Sequence, residues 1–289
     1  MNGSFIDNIW FKFRTLPKDL SEETFFLDTD YGKIHVLDTK EAKPVIINVP
    51  DGPNNISHQK ELIQQLSQNF RVVCFEYPGV GFSYPNARYN YGLDHGAKLL
   101  LQVMGLLEID KAALLFSCSN GFYAIKAAEL NPNRFTHLFL SQTPSTFAMN
   151  EWTHDAIPNA LKQPIIGQIA NIINAKKFAR IWYKYALPKG SDLSNYQNHA
   201  LNALNKGGCF CLSGLVQGLT KDFDKPLIMA AVPTSLVWGS KDFTHQKTKS
   251  ESIKEHIEHC EIIEFPECGH FPELENTSKY IQLIRERIQ

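Results

Sequence analysis

A serine set between small residues at the end of an apolar run can be made into a nucleophile. This chain carries such a run in Ala112-Ala113-Leu114-Leu115-Phe116-Ser117-Cys118-Ser119-Asn120-Gly121-Phe122. A sharp strand-to-helix turn mounts the reactive side chain in strained backbone geometry and asks for small neighbours two positions to either side, the G-x-S-x-G pattern. Ser119 has Ser117 and Gly121 at those positions, whereas Cys118 has Phe116 and Asn120, and Ser117 has Leu115 and Ser119. Register therefore selects Ser119 as the expected nucleophile. The bland reading is a serine-rich strand end, so the choice needs support from elsewhere in the chain.

A hydroxyl at neutral pH needs a base, and the base needs an acid to orient it and to stabilise its charged form. Two later segments supply both. Ser235-Leu236-Val237-Trp238-Gly239-Ser240-Lys241-Asp242 ends an apolar run in an acid, and Ile262-Ile263-Glu264-Phe265-Pro266-Glu267-Cys268-Gly269-His270-Phe271 ends another in a histidine. The order Ser119, Asp242, His270 is that of a strand-end triad. Asp242 could instead be an ordinary turn residue, and Glu267 is a rival acid that lies too near His270 in sequence to reach round its ring. His35, His137, His256 and His259 fall within periodic elements and are expected to be structural. Charge developing on a substrate oxygen needs backbone donors. The expected pair is Asn120, after the nucleophile, and Gly52, in the loop Pro50-Asp51-Gly52-Pro53 after an apolar run. Asp51 is expected to point away, because its carboxylate would oppose an oxyanion.

With these segments in hand the chain resembles the α/β-hydrolase superfamily. The resemblance rests on the Ser119 turn, Trp238-Gly239-Ser240-Lys241-Asp242, Gly269-His270-Phe271, and Phe75-Glu76-Tyr77-Pro78-Gly79-Val80-Gly81-Phe82-Ser83, which is similar to the family's D-x-P-G-x-G-x-S loop. It implies Ser119 as nucleophile, Asp242 as orienting acid and His270 as general base. The chain departs from the family where Pro50-Asp51 replaces the usual His-Gly before the oxyanion residue.

Elements that would hold these residues follow from periodicity. Strands are expected at 23–27 and 33–37, as an antiparallel start, then at 45–49, 71–75, 112–116, 135–140, 234–238 and 261–265. Helices are expected at 57–67, 92–107, 120–129, 245–256 and 278–287. Alternation of this kind predicts an α/β fold, a mostly parallel central sheet with helices on both faces. It stops between Ser141 and Pro233, which predicts a core of 1–142 and 226–289 with a helical cap at 143–225 inserted over the strand ends.

The chain of 289 residues is 43% hydrophobic and 20% charged, with 29 basic and 30 acidic residues. That balance argues against disorder and against nucleic acid as a partner. Six scattered cysteines without a C-x-x-C pair, and an opening segment broken by Asp7, Lys12, Arg14 and Lys18, point to reduced thiols and a cytoplasmic setting. Cys209-Phe210-Cys211 reads as core packing rather than a metal site, and the reaction expected calls for no cofactor.

Residues 156–191 carry Lys162, Lys176, Lys177, Arg180, Lys184 and Lys189 but no Asp or Glu. As one helix, 174–186 gathers Lys176, Lys177, Arg180 and Lys184 on one arc and Phe178, Ile181, Trp182 and Tyr185 opposite. The bland account is a cap helix with a solvated basic face. The sharper one is a basic face that docks an acyl carrier protein or coenzyme A, or a membrane surface, with the aromatic face lining an acyl site. The expected function is hydrolysis of a small-molecule ester or thioester through an acyl-Ser119. The alternatives are a cofactor-free oxygenase or lyase, a C–C hydrolase, an aminopeptidase of the proline iminopeptidase type anchored by Glu151 or Asp155, and a non-catalytic ligand binder.

Overall fold

The computed structural model describes residues 3–288 apart from 16, 18–19, 21–22, 225–226 and 228–231. The chain runs through α1 (Ser4–Lys12), β1 (Thr24–Thr29), β2 (Gly32–Asp38), β3 (Val45–Val49), α2 (Lys60–Leu66) and β4 (Arg71–Phe75). Two short strands, β5 (Val80–Gly81) and β6 (Tyr84–Pro85), precede α3 (Leu93–Leu106), β7 (Ala112–Ser117), α4 (Ser119–Leu130) and β8 (Phe135–Ser141). Between β8 and the next sheet strand lie α5 (Thr146–Ala156), α6 (Asn159–Lys162), α7 (Ile166–Ala186), α8 (Ser194–Asn205), β9 (Cys209–Phe210) and α9 (Leu212–Leu219). The last elements are β10 (Thr234–Gly239), β11 (Glu261–Phe265), α10 (Pro272–Glu275) and α11 (Thr277–Arg287).

The sheet order is β1-β2-β4-β3-β7-β8-β10-β11, with β6 beside β2. β1 and β2 pair antiparallel, and β2 pairs antiparallel with β4. From β4 through β11 every pairing is parallel. Strands buried on both faces must be apolar throughout, and the period of two sends alternate residues to opposite sides. In β3, Ile47 joins a core with residues of α3 and α4, while Ile46 joins a second core with Leu62, Ile63 and Leu66 of α2 and Ile284 of α11. Helices thus cover both faces, as the alternation predicts.

Boundaries of the strands agree with the sequence expectation to within two residues. Two differences matter. The helix expected at 245–256 is instead a turn followed by a 3-10 segment, Ser250–Glu255. Thr248 there bonds back to His245, through its N–H to the carbonyl at 2.9 Å and through Oγ1 to Nδ1 at 3.2 Å, so a local side chain competes with the helical ladder. The sequence reading places no helix before 57, whereas α1 forms at Ser4–Lys12 with Asp7 and Phe11 buried. The expected boundary of the insertion at 225 and 226 lies outside the described residues.

Candidate active site

The chain turns sharply where β7 meets α4, and the residue at the apex is Cys118, with φ 50° and ψ −120°. A non-glycine residue held there costs on the order of 1–3 kcal/mol and persists only where its surroundings impose it. They do so here. Cys118 N–H donates to the Ser141 carbonyl at 2.7 Å, and its own carbonyl accepts from Thr143 Oγ1 at 3.0 Å, tying the turn to the end of β8.

The register argument expects Ser119 at this turn, and the structure places Cys118 at its apex. Ser119 is the first residue of α4, past the apex, and its Oγ bonds Asp51 Oδ1 at 3.3 Å. The demand for a small residue falls three positions after the apex: a Cβ at Gly121 would lie 2.2 Å from Thr143 Oγ1. Phe116 is absorbed into the sheet core, and Asn120 turns aside to donate from Nδ2 to the Pro50 carbonyl at 3.1 Å. The donor directly after the apex is the Ser119 N–H rather than that of Asn120, since the first-turn N–H groups of a helix have no intrahelical partner.

Asp242 and His270 stand past the ends of β10 and β11. His270 is wholly buried, and its Nδ1 lies 2.6 Å from Asp242 Oδ2. Asp242 is held in turn: Oδ2 accepts from Gln142 Nε2 at 2.7 Å, and Oδ1 accepts from the Thr244 N–H at 2.8 Å and hydroxyl at 2.6 Å. Burial opposes ionisation of Asp242, but His270 and these donors outweigh it and hold the carboxyl at about 2. Burial likewise opposes charge on His270, and the Asp242 carboxylate overcomes it, so the imidazole sits well above its ordinary value. His245 stacks on His270 with centroids 5.4 Å apart, and Trp182 meets the ring edge-on at 5.3 Å.

On the other side of the imidazole the expectation for Asp51 fails. Its carboxylate is buried and turned inward, with Oδ2 3.4 Å from His270 Nε2. The replacement of a glycine by Asp51 therefore places an acid in the site instead of directing one to solvent. Burial raises its carboxyl, against the pull of His270. The Cys118 thiol is pushed up to about 11 by burial and by Asp51. Donor atoms of Cys118, His245 and His270 lie within 4.8 Å of one another, a grouping that a soft metal ion could also use.

A narrow apolar cavity of about 60 Å³ opens onto Cys118, Ser119, Asp51 and Gly52. Most of its wall comes from the stretch between β8 and β10, including Met149 and Trp152 of α5, Trp182 of α7, and Leu215 of α9. Gly52 lines it as well; a Cβ there would press on Phe210 at 3.0 Å. Of the four α7 residues expected at the substrate, only Trp182 reaches the cavity. Phe178 packs with the Ile157, Leu161 and Val216 cluster, Ile181 is 42% exposed, and Tyr185 lies against Phe243. Lys176, Lys177, Arg180 and Lys184 are all exposed on α7. The rival acid Glu267 pairs with Lys241 at the surface, and Glu151 and Asp155 line a separate outer groove. Sequence reasoning missed Gln142, Thr244 and His245, none of which belongs to a spaced motif.

A family model described as the alpha/beta hydrolase fold matches residues 44–277. Among curated proteins, haloalkane dehalogenase 2 of Mycobacterium tuberculosis is 21% identical over 284 residues, covering 92% of this chain and 94% of that protein. The 2-hydroxy-6-oxononadienedioate/2-hydroxy-6-oxononatrienedioate hydrolase of Klebsiella pneumoniae is 22% identical over 284 residues, covering 93% of this chain and 96% of its own. Among solved structures, epoxide hydrolase A of Mycobacterium thermoresistibile superposes with a TM-score of 0.76 at 12% identity, covering 92% of this chain and 97% of that one. These three proteins are named for different reactions, so likeness to them fixes the fold and leaves the chemistry to the site.

Proposed function

The chain belongs to the alpha/beta hydrolase fold family, and on that premise we propose that it is a hydrolase of small acyl esters or thioesters that works through an acyl-Cys118 intermediate. The observation that carries this reading is the apex geometry of Cys118, a residue that lines the cavity and whose Sγ lies within 4.8 Å of a His270 ring nitrogen.

His270 Nε2 takes the thiol proton while Asp242 stabilises the imidazolium formed. The thiolate attacks the carbonyl carbon, and the Ser119 and Gly52 N–H groups receive the developing oxyanion. Collapse of the tetrahedral species expels the alcohol or thiol, which takes its proton from His270. Water then gives a proton to His270 and cleaves the acyl-sulfur bond, regenerating the thiol. A fully ionised Asp51 would oppose both thiolate and oxyanion; its raised carboxyl lessens that opposition. The residues between β8 and β10 serve as a cap in this reading, and a cavity of about 60 Å³ suits a short acyl group. No cofactor is needed for these steps.

Brief reaction with p-nitrophenyl acetate, acid quenching and peptide mass mapping tests the assignment. The acetyl group is expected on Cys118; an acetyl group on Ser119 with Cys118 unmodified would overturn it. A second reading is favoured by the contact of Asp51 with His270 Nε2: the pair could move protons on a substrate without a covalent intermediate, as in a lyase or cofactor-free oxygenase. Its signature is turnover that persists in Cys118→Ala.

A further inference from the structure

Fourteen large hydrophobic side chains are exposed among the described residues, and ten belong to two touching helices or their ends. In α1 and its cap, Phe5, Ile9, Trp10 and Phe13 occupy one arc, while Asp7 and Phe11 face inward. At the start of α7, Ile165, Ile166, Ile169 and Ile173 are exposed, with Ile173 at 74% and Phe13 at 81%. The two sets adjoin: a groove of about 290 Å³ is lined by Trp10 and Arg14 from the α1 side and by Ile173 and Lys176 from α7.

Ile166, Ile169 and Ile173 lie at three- and four-residue steps that continue into Lys176, Lys177, Arg180 and Lys184, so one exposed stripe of α7 is apolar in its first half and basic in its second. Arg14 adds a cation over the Trp10 ring at 5.0 Å. The sequence from 156 to 191 contains no acid to neutralise this stripe. Protruding aromatic and aliphatic side chains bordered by lysine and arginine complement an anionic lipid surface, where apolar groups enter the acyl boundary and cations meet headgroups. No helix among the described residues is long and apolar enough to cross a membrane, so contact would be from one side.

We infer that the face formed by α1 and the exposed stripe of α7 docks the protein on membranes containing anionic phospholipid. Phe210 lines both the groove beneath this face and the catalytic cavity, so the docked surface lies one side chain from the chemistry.

Sedimentation of the full chain with phosphatidylcholine vesicles, with and without about 30% phosphatidylserine, tests the inference. The protein is expected to partition at least about tenfold more strongly onto the anionic vesicles and to be released as salt rises. Phe13→Ser with Ile173→Ser, and separately Lys176→Glu with Arg180→Glu, should each lower that partitioning by about tenfold or more, with melting curves confirming that the variants fold. Cys118→Ala should bind vesicles as the native chain does, so loss of the hydrolytic reading leaves this one standing. Equal binding to both vesicle types, absence from both pellets, or native binding by both double variants would overturn it. So would a dimer in sedimentation velocity that the apolar variant dissolves, which would make a second copy the occupant, or lipid-free binding of an acidic acyl carrier protein abolished only by the charge variant.

Discussion

The two sides of the His270 ring are built differently. Toward Nδ1, every oxygen of Asp242 meets a donor: Gln142 comes from the end of β8, Thr244 follows two residues later, and His270 itself arrives from the end of β11. Toward Nε2 the surroundings are unsettled, with a thiol, a hydroxyl and a carboxylate at hand, the carboxylate of Asp51 3.4 Å away. In the proposed reading the difference separates an orienting half, whose polar groups are closed by hydrogen bonds, from a reacting half that keeps its polar capacity open to a substrate. Polar groups buried with full partners specify one geometry, whereas partly satisfied ones change state readily.

The largest effect should come from breaking the reacting half. Cys118→Ala is expected to lower kcat for p-nitrophenyl acetate by about 10⁴-fold or more, while Ser119→Ala costs less than about tenfold; the reverse ranking would return the nucleophile to Ser119. Next comes the orienting half. Asp242→Asn should reduce kcat by roughly 10³- to 10⁴-fold, because the imidazolium loses its counter-charge and the tautomer its restraint.

pH separates the halves further. His270 must be neutral to act as base, and its raised value places the rising limb of kcat/KM above pH 6.5; removal of the Asp242 charge should move that limb to lower pH in the residual activity. Asp51→Asn removes a negative charge facing Cys118. The thiol value should fall from about 11, read as roughly tenfold faster alkylation by iodoacetamide at pH 8, and an unchanged rate would mean that Asp51 is already neutral there.

The smallest effect on turnover belongs to Glu273, buried beneath the elbow with Oε1 accepting from Ser117 Oγ at 3.0 Å. Burial pushes its carboxyl up from 4.5 to about 7. The folded state therefore favours the protonated form, and stability should fall as pH rises from 4.5 through about 7. Glu273→Gln should flatten that slope and be more stable at pH 8 by on the order of 3 kcal/mol, read as a higher melting temperature in thermal unfolding across pH.

How much of this was legible in the sequence follows the same division. Asp242 and His270 could be placed because each ends an apolar strand, and strand ends in a parallel sheet are fixed by hydrophobic runs that composition displays. The choice between Cys118 and Ser119 turned on which residue takes a strained backbone conformation. That depends on Ser141 and Thr143 from the neighbouring strand, over twenty residues away, and on the space beside Gly121. Neither is encoded in the pentapeptide. The electrostatic objection that points Asp51 away leaves out burial, which raises its carboxyl. The sequence expects a basic arc on 174–186 taken as a helix, but the isoleucine half of α7 before it, Ile166–Ile173, becomes informative only beside α1.

Two hydrogen bonds tie the two halves to the wall of the cavity. Trp152 of α5 donates from Nε1 to the Thr244 carbonyl at 2.6 Å, and His270 N–H donates to the carbonyl of Ala186, the last residue of α7. The helices between β8 and β10 therefore hold the Asp242 turn and the His270 backbone. They are not an independent module: a graft that replaced them, however well it folded, would have to rebuild the posture of Asp242 and His270 along with the shape of the pocket.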